Sequence, residues 1–107
     1  MTKREKMLVP TIDSSTLRNW IENNQVVIID VREPEEYAQI NIPSAHLLPL
    51  AQVSLDNLPP YMDKKLVMQC RSGKRSAYAC EILLAENPDL DIYNLAGGIL
   101  DFFQSNT

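Results

Sequence analysis

The residues of this chain whose types and spacing could do chemistry lie in Cys70-Arg71-Ser72-Gly73-Lys74-Arg75-Ser76. The apolar run Leu66-Val67-Met68-Gln69 before them reads as a strand, and Ser76–Leu84 after them reads as a helix. Backbone N–H groups in a turn and in a first helical turn have no intrahelical partners and point at whatever occupies the mouth. A cysteine at that position is pushed toward thiolate, and the cations Arg71, Lys74 and Arg75 push the same way. A thiolate held in this way is a nucleophile for covalent catalysis. The alternative, an inert cysteine beside a polar turn, leaves the meeting of strand end, cations and helix start unexplained.

The rest of the chain supplies elements to position that loop. Leu8–Ile12 reads as a short edge strand carrying Pro10, which cannot donate to a ladder. Asp13-Ser14-Ser15-Thr16 offers N-caps for a helix to about Asn23, with Leu17, Trp20 and Ile21 as its inward stripe. Trp20 is expected in the core. Val26–Val31 has no polar alternation before Asp30, the pattern of a strand buried on both faces of a parallel sheet. Pro34, Glu35 and Glu36 suit the first turn of a short helix. Ala45–Leu50 reads as a further strand, Gln52–Leu58 as a short helix and Pro59-Pro60 as an extended turn. The helix after the cysteine loop presents Ala77, Cys80 and Leu84, with Ala79, Ile82 and Leu83 beside them, and stops at Asn87-Pro88. Ile92–Leu95 is a last strand, and Ile99–Phe103 is a closing helical turn that seats Phe102 or Phe103.

Alternating short strands and helices predict an α/β sandwich with a mainly parallel sheet. Ligands gather at the carboxyl ends of the strands in such sheets, so Asp30-Val31-Arg32 and the Cys70 loop are expected on one edge of the molecule. His46 reads as structural rather than as a catalytic base. Cys80 reads as a small buried hydrophobe rather than a resolving thiol.

Composition bounds the function. With 107 residues, 45% apolar and 22% charged, the chain is expected to be one globular domain over residues 1–107. No apolar run approaches the roughly 20 residues of a membrane span. The charged start Met1–Lys6 precedes an apolar run too short for a signal-peptide core, so a cytoplasmic setting is expected. Two cysteines, ten positions apart across a helix, do not form a disulfide framework. One histidine and two cysteines without ligand-type spacing give no metal site. A net charge of −4 argues against a nucleic-acid surface. Positive charge gathered at Cys70 on that acidic background suits a small anion or an acidic patch on a partner.

Four segments taken in order, Ile29–Tyr37, Ile42–Ala45, Cys70–Ser76 and Asn94–Ile99, resemble the rhodanese (thiosulfate sulfurtransferase) family. Two departures stand out. Ile40-Asn41-Ile42-Pro43-Ser44-Ala45 replaces a turn usually written Gly-His-Ile-Pro-Gly-Ala, and Phe102 stands near a usual tryptophan. The resemblance implies a three-layer α/β sandwich: a central, mainly parallel five-stranded sheet with helices on both faces and Cys70 as the catalytic residue.

Cysteine phosphatases that share the fold need one more residue than the four, Arg71 to Lys74, that separate Cys70 from Arg75. In the family the shorter loop goes with sulfur transfer. The implied mechanism is attack of Cys70 on the outer sulfur of thiosulfate or a similar donor, departure of sulfite, and passage of the persulfide sulfur to a thiol, cyanide or protein acceptor. Arg71, Ser72, Gly73, Lys74, Arg75 and Ser76 are then expected to bind the donor and cradle the sulfur. Asp30 and Arg32 brace the loop or form an ordinary surface pair. No cofactor, metal or separate general base is implied. The alternative is a protein-to-protein sulfur-relay or regulatory module with little thiosulfate activity; phosphatase or arsenate reductase chemistry is disfavoured by loop length.

Overall fold

The computed structural model describes residues 8–104; the charged start Met1–Lys6 lies outside the described residues. The elements are β1 (Thr11–Ile12), α1 (Ser14–Glu22), β2 (Val26–Asp30), α2 (Pro34–Gln39), β3 (His46–Leu47), β4 (Lys65–Gln69), α3 (Lys74–Glu86), β5 (Ile92–Leu95) and α4 (Gly98–Gln104). All strand pairings are parallel, in the order β1-β5-β4-β2-β3, as expected for the α/β sandwich.

Alternate residues of β2 and β4 feed two apolar layers. Val27, Ile29, Leu66 and Met68 pack with Ala79, Cys80 and Leu83 of α3 on one face. Ile28 and Val67 pack with Leu17 of α1 and Ile99 and Phe102 of α4 on the other. Helices therefore cover both faces, and β4, which leads into Cys70, lies at the middle of the sheet. The buried stripe of α3 is Ser76, Ala79, Cys80 and Leu83, so Ala77 and Leu84, expected on it, sit at its margins.

Local chemistry explains the termini of α1. The Asp13 carboxylate accepts from Thr16 N–H at 2.9 Å, an N-cap. At the other end, Asn24 N–H donates to Ile21 O and Gln25 N–H to Trp20 O, a Schellman closure with Asn24 at φ 55. Trp20 is half-buried rather than in the core, stacked edge-to-face on Tyr93 with centroids 5.1 Å apart.

Several expected elements are shorter. β1 keeps only Thr11–Ile12, the part beyond Pro10. β3 is reduced to two residues, although the chain continues along β2 with Leu48 N–H on Asp30 O and Leu50 N–H on Val31 O. The helix expected over Gln52–Leu58 is instead two 3-10 turns, Leu50–Gln52 and Leu55–Asn57. Between them Val53 is extended and buried, since a β-branched residue prefers that backbone and its side chain joins the core. α3 begins two residues earlier than the apolar pattern shows, at Lys74.

Candidate active site

Cys70 is the first residue beyond β4 and is 1% exposed. The chain then turns at Gly73, whose φ of 108 lies in the left-handed region that glycine enters without strain. That turn folds the loop back over the sulfur. Gly73 N–H points at Cys70 Sγ from 3.1 Å, and Ser76 N–H and Oγ from 3.4 Å each. Because α3 starts at Lys74, Ser76 is in its first turn, where a backbone N–H has no helical acceptor.

Burial alone would push this thiol up, and the Ser76 hydroxyl with the N–H groups of Ser76, Gly73 and Ser72 more than offsets it, so the Cys70 pKa lies below the usual thiol value. Cys80, also buried but with no such donors, is pushed up to about 12 by burial and the nearby Glu81 charge. Of the two sources expected for the thiolate bias, the N–H groups of the turn and the surrounding cations, the loop donors supply it chiefly.

The cations have distinct placements. Arg71 and Lys74 are exposed at the mouth. Arg75, grouped with them in the sequence, directs both terminal nitrogens at the Glu36 carboxylate of α2, at 2.8 and 2.9 Å. That bidentate pair ties α3 to α2. Ser72 is exposed on the loop.

Asp30 and Arg32 form a buried pair, 0% and 3% exposed, and not an ordinary surface one. Arg32 Nε and Nη2 reach the carboxylate at 2.9 and 2.7 Å, while Nη2 also donates to Ile40 O at 2.7 Å. The pair fastens the exit of α2, the helix that carries Glu36, to the end of β2. His46 is exposed at the edge strand and lines, with Lys64 and Asn24, a groove of about 310 Å³ by the amino ends of β2 and β4.

Three residues matter here beyond the cysteine loop. Glu36 holds Arg75. Asn94 of β5 donates from Nδ2 to Gly73 O at 3.1 Å and accepts from Ser76 Oγ at 2.5 Å. Gly98, at φ 61, lies so close to the carbonyls of Cys70 and Arg71 that a Cβ would collide with both. The adjacent Ile99 N–H donates to Cys70 O at 2.8 Å. A polar residue near the end of an otherwise apolar strand was the available signal for Asn94. The pairing of Glu36 with Arg75, 39 positions apart, had none. Among the described residues no three His, Cys, Asp or Glu side chains are grouped as metal ligands.

Residues 13–105 match the rhodanese-like domain. The chain belongs to the rhodanese-like family. An Allochromatium vinosum sulfurtransferase is 36% identical over 96 residues, covering 87% of each chain. An uncharacterized Synechocystis protein, slr1261, is 34% identical over 95 residues, which are 89% of this chain and 52% of that one. This rhodanese-like chain thus spans about half the length of that relative. The human single-domain sulfurtransferase TSTD1 superposes with a TM-score of 0.80 at 25% identity, covering 92% of this chain and 99% of that one. The departures from the family pattern are accommodated locally. Ser44, where the rhodanese turn usually has glycine, adopts φ 74, and Phe102, a residue of α4, is buried at 4% exposure in the layer it shares with Leu17 and Val67.

Proposed function

We propose that this rhodanese-like protein is a sulfurtransferase that carries sulfane sulfur on Cys70. The observation that carries the reading is the convergence of Gly73 N–H, Ser76 N–H and Ser76 Oγ on one buried sulfur. Donors aimed at a sulfur in a site closed to water stabilise its anion, the form that attacks. In the first half-reaction the Cys70 thiolate attacks the outer sulfur of thiosulfate. The S–S bond of the donor breaks, its electron pair leaves on sulfite, and Cys70 becomes a persulfide. In the second half-reaction a thiol, cyanide or a protein acceptor attacks the terminal sulfur, and Cys70 departs as thiolate. The exposed Arg71 and Lys74 draw the anionic donor to the mouth. Arg75, neutralised by Glu36, holds the base of the loop.

Steady-state turnover of thiosulfate with cyanide tests the donor. The protein is expected to turn over, and Cys70→Ser to lose turnover entirely. Negligible turnover, with rapid loading of Cys70 from a protein persulfide donor, would instead assign the relay role.

A further inference from the structure

Ser76 places one hydroxyl between two acceptors. Its Oγ lies 2.5 Å from Asn94 Oδ1 and 3.4 Å from Cys70 Sγ. A hydroxyl carries one proton, so it donates fully to one of them at a time. Ser76 is 0% exposed, Asn94 8% and Cys70 1%, so solvent offers little replacement for a lost donor. The other end of the Asn94 amide is fixed, because Nδ2 donates to Gly73 O. Turning the amide over would set Oδ1 against that carbonyl oxygen. Oδ1 therefore faces Ser76 as an acceptor.

We infer that Asn94 is a positioning residue that competes with Cys70 for the Ser76 hydroxyl and makes that hydroxyl a two-position switch. When Cys70 is a neutral thiol, its S–H donates to Ser76 Oγ and Ser76 O–H donates to Asn94 Oδ1. When the Cys70 proton has left to solvent, Ser76 O–H rotates onto the sulfur. Asn94 Oδ1 then faces the Ser76 oxygen with no proton between them. Ser76 thus favours the sulfur anion and Asn94 opposes it. The balance suits a sulfur that must both attack and later leave as thiolate, because an anion stabilised too far loses nucleophilicity.

The charged groups around the cradle include Arg71 in the loop, Lys74 and Arg75 on α3, Glu33 and Glu36 at the start of α2, the Asp30–Arg32 pair at the end of β2, and Asp101 of α4 beside Gly97. They are unchanged by substitutions at Ser76 and Asn94, so a difference between those variants reports the hydroxyl. The inference rests on the sulfur-transfer reading only in taking Cys70 as the reacting sulfur.

The test is the pH dependence of Cys70 alkylation by iodoacetamide on the full chain, followed by intact mass. Asn94→Ala is expected to move the midpoint to lower pH and to speed alkylation below it about threefold. Ser76→Ala is expected to move it to higher pH. In the Ser76→Ala background, Asn94→Ala is expected to lose most of its effect. Equal Asn94→Ala shifts in both backgrounds, or a midpoint that stays put or rises, would overturn the inference. If Asn94→Ala lacks a cooperative unfolding transition, Asn94→Leu, of similar volume and without an acceptor, takes its place. Alkylation needs no sulfur donor, so this result stands apart from whether the protein transfers sulfur.

Discussion

Cys70 and Cys80 are ten positions apart, both buried, and driven in opposite directions by what surrounds them. Loop N–H groups and the Ser76 hydroxyl bring Cys70 below the ordinary thiol range, whereas burial takes Cys80 up to about 12. One equivalent of label from iodoacetamide is therefore expected on the folded protein at neutral pH, all of it at Cys70. Peptide mapping that finds Cys80 labelled before unfolding would contradict this. At this scale the sequence was informative about residue identity and less so about cause. Cys70 stood out by its setting and Cys80 by its place on an apolar helix face. The donors responsible for the thiol shift depend on where α3 starts. Lys74 and Arg75 read as loop cations because a glycine N-cap leaves no side-chain signature, whereas Asp13 marks α1 plainly.

The clamp between α2 and α3 is the main contact between elements that the sequence hid. Glu36 and Arg75 each looked like a local helix feature, and only the fold makes them one bidentate pair. The Arg75 hydrogen bond, then the one donated by the Glu33 backbone N–H, lower the Glu36 carboxyl from its ordinary 4.5 to about 2. A carboxyl lowered on folding adds stability that is present above pH 4.5 and lost as pH falls through about 2. With about a third of each side chain open to solvent, the pair is worth about 1 kcal/mol. Glu36→Gln is thus expected to lower stability by about that amount at neutral pH, with the gap to the parent closing as pH falls from 4.5 toward 2. Urea melts across that range check it; a gap independent of pH would contradict the pairing. Asp30 and Arg32 illustrate the same limit. Their spacing puts them at one strand end, but only packing against α2 decides that they are buried.

The molecule as a whole brings distant elements to one edge of the sheet: β4 and α3 supply the loop, β5 supplies Asn94, and α4 lies across the Cys70 and Arg71 carbonyls at Gly98. The parallel character of the sheet was legible because Val27-Ile28-Ile29 and Leu66-Val67-Met68 are apolar on both faces, whereas the order of the strands was not. The shortened edge strand β3 and the 3-10 turns were not legible, since each depends on tertiary partners of single residues such as Val53. Gly98→Ala is expected to displace α4 or the loop and to cost about 2 kcal/mol or more of stability, because backbone must shift to admit the methyl group. Thermal unfolding would show it, and an unchanged midpoint would contradict the close approach. Cys70 is expected to accept a transferable sulfur, and intact mass after incubation with thiosulfate reads that gain without a coupled assay. The expected gain equals one sulfur atom, is reversed by cyanide, is absent in Cys70→Ser and is retained in Cys80→Ser. A parent chain that gains no sulfur from thiosulfate or a protein persulfide donor, or a Cys70→Ser chain that gains it, would show that Cys70 is not the sulfur carrier.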